Sequence, residues 1–301
     1  NKLYSCTHLH VPPASVSTLN TTHCRYDNIM ISSNRPDIID CITAMRVRDE
    51  TIPKCINYFN LTANNNATRE EGGIDETCRT AMVTWITQVQ KTLSLNPETV
   101  WIAMSFFDRY LSSSRGESQK ALGSKREFQL AAITSYYTAV KIYEPVMLGI
   151  DTLMEICHDT YSKYDIVSME HDILSALDWR VACHTPMGFV RHLLELLPKL
   201  SSHDSNTIIQ VCQNLIDEYA IKDIYFSPFA PSVVGISCLA ISLAIIDTLS
   251  LSKAEGIWYQ LSESCEDFEL SSKEVMSVQQ RLLSRVTPTT RNKSNSFKFR
   301  G

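Results

Sequence analysis

Cys78-Arg79-Thr80-Ala81-Met82-Val83-Thr84-Trp85 opens the run of apolar helices on which the fold rests. Within Glu76 to Leu93, Ala81, Met82, Trp85, Ile86 and Val89 recur at the three- and four-residue spacing of one helix stripe. Asn96-Pro97-Glu98 then reads as a helix start. Asn caps it, Pro takes the first helical position where its missing N–H is not needed, and an acid sits at the positive end of the helix dipole. The helix carries Val100, Trp101, Ala103, Met104, Phe106, Phe107, Tyr110 and Leu111, apolar around most of its circumference, and is therefore expected at the centre of the core. Ser112 to Ser124 reads as a loop, and Phe128 to Tyr143 as a second helix that is apolar nearly all round. A short helix over about Ile150 to Asp159 follows. Ser162 with Asp165 forms a capping-box pattern for Lys163 to Asp178, expected to bury Ile166, Val167, Met169, Ile173, Leu174 and Leu177.

Outward from this block, His184-Thr185-Pro186 breaks the chain and the scheme recurs. Met187 to Pro198, Asn206 to Ile221, Pro231 to Leu249, Ala254 to Cys265 and Ser272 to Val286 form a second set of five helices. Ile216-Asp217-Glu218-Tyr219 echoes Phe107-Asp108-Arg109-Tyr110, which suggests an internal duplication. On the other side, Ile38 to Phe59 reads as one helix with a short extension, and Asn60 to Asp75 as a loop. The expected organisation is a disordered tail over 1–35, a helix and loop over 36–75, a first helical domain over 76–183, a second over 184–286 and a disordered tail over 287–301. The fold class is all-α.

Composition agrees with that class. The 301 residues suit two domains, and 44% hydrophobic with 20% charged residues is ordinary for a globular chain. The net charge of −5 argues against nucleic acid as the main partner. The longest apolar run, Val233 to Ile246, is too short to span a bilayer, so no membrane association is expected. Ten Cys are scattered with no Cys-x-x-Cys pair, which gives a structural metal little support and points to a reducing compartment, nucleus or cytoplasm. Residues 1–30 hold no signal-peptide pattern. No glycine-rich phosphate loop and no recognisable nucleophile–base spacing occur, so neither an enzyme nor a cofactor is expected.

Two charges break the apolar pattern. Lys141 lies between Val140 and Ile142 near the end of an apolar helix, and Glu170 lies beside the stripe of Ile166 and Ile173. Two readings stand: a snorkelling Lys with a solvated Glu, or a pair flanking one exposed groove that meets a partner protein. Asp108 and Arg109 interrupt a buried helix and read as a structural ion pair with neighbouring backbone groups. Trp85 reads as core or as a binding anchor at the helix edge.

From about Ile38 to Val286 the chain resembles a cyclin. Cys78 to Trp85 is similar to the family's Met-Arg-Ala-Ile-Leu-Val-Asp-Trp, and Met104 to Leu111 to its Tyr-Leu-Asp-Arg-Phe-Leu helix. Gln129-Leu130 leading to Ala139-Val140-Lys141 resembles Gln-Leu to Ala-Ser-Lys, and Ser168-Met169-Glu170-His171 resembles Arg-Met-Glu-His. The opening Asn96-Pro97-Glu98-Thr99 is similar to that of the expanded cyclin sets of diatoms and related algae. The resemblance implies two tandem five-helix cyclin folds behind an N-terminal helix, and a regulatory subunit that binds and activates a cyclin-dependent Ser/Thr kinase in cell-cycle control. It places Lys141 and Glu170 at the kinase contact. It places Arg79, Met82, Trp85, Gln88 and Gln129, with Lys125 for an arginine at the edge, at the patch that takes Leu-containing docking peptides. Cys78 for Met and Ala81 for Ile give that patch a smaller floor, and each lost buried methylene weakens apolar grip by roughly 0.8 kcal/mol. Arg79 is expected to pair internally. The alternative is a cyclin-fold interaction protein without kinase activation, similar to the general transcription factor IIB or pocket-protein families, or a degenerate cyclin.

Overall fold

Side-chain caps set where the helices begin. The structure, a computed structural model, describes residues 35–60, 73–113, 118–197, 200–246, 251–264 and 272–286. All regular structure among them is helical: α1 (Arg35–Glu50), α2 (Glu76–Thr92), α3 (Glu98–Ser112), α4 (Ser118–Gly123), α5 (Lys125–Tyr143), α6 (Ile150–Ile156), α7 (Lys163–Ala176), α8 (Pro186–Glu195), α9 (Ser202–Leu215), α10 (Pro231–Ile245), α11 (Leu251–Ser264) and α12 (Lys273–Arg285). Asp75 accepts from the N–H groups of Thr77 and Cys78 at the start of α2, and Ser124 from Glu127 at the start of α5. Asn96 Oδ1 accepts from the Glu98 N–H ahead of α3, with Pro97 already in helical conformation. Ser162 and Asp165 form the reciprocal capping box of α7, and Thr185 caps α8 ahead of Pro186.

The chain divides into two compact units, one within Lys54–Cys183 and the other joining Met30–Pro53 to the chain from His184 onward. In the first unit α5 is the hub: every residue from Phe128 to Val140 is buried, and α2, α3, α4 and α7 pack around it. Phe107 of α3 meets Phe128 of α5 edge to face, ring centres 4.9 Å apart. In the second unit α10 takes that place, packed by α8, α9, α11 and α12. α1 belongs to this second unit. Its buried face of Ile38, Ile42 and Met45 lies against α8, and Asp49 Oδ1 at its end is 2.9 Å from His184 Nδ1.

Four expectations are corrected. The Ser112 to Ser124 loop contains α4, which turns Ser118, Ala121 and Leu122 inward; six residues are too few to show a helical period. α1 ends at Glu50 and does not run on to Phe59. Val167 is 49% exposed, outside the buried stripe of α7. The echo at Ile216-Asp217-Glu218-Tyr219 fails chemically. That segment is a π-helical turn, and Asp217 takes a hydrogen bond from Gln213 of its own helix, whereas Asp108 is buried and paired across helices. Residues 1–34 and 287–301, read as tails, and most of the Asn60 to Asp75 loop lie outside the described residues. No helix among the described residues is long and apolar enough to cross a membrane.

Candidate functional site

The buried run of α5 ends at Val140, so Lys141 in the last turn emerges at the surface next to the helix C-terminal carbonyls, which favour its charge. α7 packs on α5 and carries Glu170 to the same place. Lys141 Nζ lies 2.9 Å from both Glu170 oxygens. The Lys141 side chain is 45% exposed and that of Glu170 14%. The Tyr137 ring lies beneath the ammonium at 5.1 Å, close enough for a cation–π contact, and burial raises the Tyr137 phenol above its ordinary range. Thr138 Oγ1, buried one residue further, is 3.1 Å from Glu170 Oε1. Ile142, next to Lys141, and Val167, one turn before Glu170, are exposed, as are Met147 and Tyr164. An open ion pair of this kind is worth roughly 0–1 kcal/mol to the fold. What the arrangement offers is a pair of opposite, hydrogen-bonding charges, with exposed Ile142 adjoining Lys141 in the chain and exposed Val167 one turn before Glu170.

Arg79 does pair internally. Its Nε and Nη2 donate to Asp108 Oδ1 and Oδ2 at 2.9 and 2.7 Å, and the Tyr58 hydroxyl donates to Oδ1 at 2.9 Å. Burial alone would depress the Arg79 guanidinium; the Asp108 carboxylate reverses this and raises it. Burial first, and then Asp108, push the Tyr58 phenol well up. Asp108 and Arg109 are not partners of one another. Asp108 faces α2, while Arg109 Nη2 donates to the Arg180 carbonyl at 2.9 Å, and burial lowers the Arg109 guanidinium. The two residues are neighbours in sequence and so point to different sides of α3.

In the docking patch, Cys78, Met82, Trp85 and Gln129 are buried, Ala81 and Lys125 are half-buried, and Gln88 is exposed. Gln129 Oε1 accepts from the Tyr161 hydroxyl at 3.2 Å. Trp85 Nε1 is buried and forms no hydrogen bond with the described residues. The patch therefore presents Gln88, with Ala81 and Lys125 partly open and little apolar floor. Sequence reading missed Thr138, Tyr137 and Tyr161; each is a polar-tipped residue whose partner lies on another helix or is a charge one turn away. Among the described residues no group of His, Cys, Asp and Glu is arranged to hold a metal ion.

The family model for the cyclin N-terminal domain matches residues 40–182. Residues 40–182 thus carry a cyclin N-terminal domain. G2/mitotic-specific cyclin-2 of Antirrhinum majus is 25% identical over 231 residues, covering 69% of this chain and 51% of that cyclin. Cyclin-B1-5 of Oryza sativa subsp. japonica is 29% identical over 161 residues, 54% of this chain and 33% of that protein. The chain spans about half the length of the curated relatives it matches, or less. Among solved structures, the viral cyclin from herpesvirus saimiri aligns with a TM-score of 0.58 at 17% identity, over 80% of this chain and 96% of that one. A chain of the CAK complex of Chaetomium thermophilum bound to ATP-gamma-S aligns with a TM-score of 0.51 at 14% identity, over 87% and 78%. At these identities the two likenesses speak for the cyclin fold alone.

Proposed function

We propose that this chain is a cyclin, the regulatory subunit of a cyclin-dependent Ser/Thr protein kinase acting in cell-cycle control, with no chemistry of its own. The observation that carries the reading is the meeting of Lys141 and Glu170 at 2.9 Å, half open, beside exposed Ile142 and Val167. Stability does not require such a pair, whereas a partner that buries the apolar rim would gain area and two anchoring charges. The mitotic names of relatives support the same reading. The subunit acts by population shift. It binds the kinase conformer in which the regulatory-helix glutamate pairs with the strand lysine that holds ATP, and so raises that conformer's share. Leu-containing docking peptides bind weakly at best, because Cys78, Met82 and Trp85 are covered and the floor is small. The scattered cysteines, with no Cys-x-x-Cys pair in the sequence, suit the nucleus or cytoplasm.

The test is a pull-down from lysate of the source organism, followed by a kinase assay, with Lys141→Ala plus Glu170→Ala alongside. Cutting a charge pair that becomes buried on binding costs about 2–5 kcal/mol of affinity, while the fold loses little. Recovery of a cyclin-dependent kinase and its activity, both lost with the double variant, is the expected result. A folded double variant that still binds the kinase sinks the assignment of the site. A folded wild type that recovers no kinase favours the cyclin-fold protein without kinase activation.

A further inference from the structure

Thr138 is a polar residue at a place where its helix has no need of one. It lies in the buried run of α5, 2% exposed, between Tyr137 and Ala139. Its hydroxyl has one proton and two acceptors within reach: the Thr134 carbonyl at 2.9 Å and Glu170 Oε1 at 3.1 Å. The Thr134 carbonyl sits in the helix ladder and already has a backbone donor, so a second bond there adds little. Glu170 is a carboxylate largely withdrawn from water, and a hydrogen bond to a charged acceptor is the stronger of the two. Lys141 Nζ bridges both carboxylate oxygens from the outside, and the Thr138 hydroxyl holds Oε1 from the inside. The carboxylate is thus gripped from two directions, and its plane is fixed before any partner arrives.

We propose that Thr138 is a positioning residue for the partner contact: its buried hydroxyl orients Glu170, and through it Lys141, so that the pair meets the kinase preorganised. The inference rests on the kinase-binding reading above. It differs from that reading in naming a residue that touches no partner and acts only through Glu170. Fixing a side chain in its bound geometry raises affinity by removing the cost of ordering it on binding.

The test is a double-mutant cycle on the full chain, with a purified cyclin-dependent kinase catalytic subunit as the probe and affinity read by titration calorimetry. Thr138→Val, which keeps the shape and removes the hydroxyl, is expected to weaken binding about tenfold, as for loss of one hydrogen bond to a charged group. Thr138→Ser keeps the hydroxyl and is expected to bind within about twofold of wild type. In a Glu170→Ala background, Thr138→Val is expected to change affinity less than twofold, because the residue it acts through is gone. A general structural role for Thr138 predicts equal losses in both backgrounds, and that result overturns the proposal. So does a wild-type affinity for Thr138→Val. Should Thr138→Val fail to fold, Thr138→Ala takes its place in the same cycle. If Lys141→Ala plus Glu170→Ala leaves binding intact, the kinase-binding site itself is wrong and this proposal falls with it. If that control loses binding while Thr138→Val does not, only the proposal fails.

Discussion

Replacing Arg79 with alanine leaves Asp108 buried beside Tyr58 with its cation gone. In the native chain the two side chains are 3% and 4% exposed and share two hydrogen bonds, at 2.9 and 2.7 Å. Asp108 is 4% exposed, so the stranded carboxylate stays out of bulk water. It must therefore stay charged in a poor solvent or take up a proton, and either is costly. Removing one partner of such a pair costs roughly 3–5 kcal/mol. For a cooperative unit of this size, that lowers the melting temperature by about 10–20 °C. The unit holds Trp85 and Trp101, so fluorescence-detected urea and thermal unfolding report on it. The companion variant changes all three members at once: Arg79→Met, Asp108→Leu and Tyr58→Phe. It removes every charge and the hydroxyl while filling the same space, and is expected to recover most of the lost stability. Neither variant touches Lys141 or Glu170, so kinase binding below the melting point is expected to persist in both. A loss under about 1 kcal/mol for Arg79→Ala refutes the stranded-charge argument. A triple variant as unstable as Arg79→Ala refutes it as well, because attraction within the pair, and not the cost of an orphan, would then hold the helices together.

Two further perturbations probe the caps and the second unit. The Thr77 hydroxyl, with the N–H groups of Thr77 and Cys78, holds the Asp75 carboxyl below its ordinary value of 3.8. The backbone N–H of Ser162, then its hydroxyl and Arg126, do the same for Asp165. A depressed folded value means that the stabilisation is fully present above 3.8 and is lost as the pH falls through the lower, folded value. The urea midpoint of wild type is therefore expected to fall toward that of Asp75→Asn plus Asp165→Asn between pH 5 and pH 2; Asn still caps but cannot titrate. A gap that stays constant with pH contradicts this. Gly235, in the middle of α10, runs so close to α8 that an added Cβ would lie 2.6 Å from the Pro186 carbonyl oxygen. Gly235→Ala is expected to cost about 1–3 kcal/mol in urea unfolding followed through Trp258, where alanine in a helix interior ordinarily gains about 0.5–1 kcal/mol. An unchanged midpoint would mean that the two helices are not in close approach.

What was legible in the chain follows from the range of each signal. Helix starts rest on residues two or three apart, so Asn96-Pro97-Glu98 and Ser162 with Asp165 could be read directly, and both act in the structure as their spacing implies. α4 is equally local, but one turn and a half gives no period to detect. Partners across helices leave no local trace. Asp108 with Arg79 and Lys141 with Glu170 are both 29 residues apart, and nothing near either member names the other. The family's motif order brings Lys141 and Glu170 into one argument, where helical periodicity alone favours a snorkelling lysine and a solvated glutamate. For Asp108 sequence adjacency suggested Arg109, but the carboxylate takes Arg79 from another helix while Arg109 turns to the Arg180 carbonyl. The same limit applies to α1. Ile38, Ile42 and Met45 announce a buried face, but the pattern is silent about what covers it, and the covering element is α8, more than a hundred residues away. Thr138 shows where such a reading can still be sharpened. A hydroxyl inside an apolar run either bonds back to its own helix or serves a charge on the next one, and only the position of Glu170 decides between them.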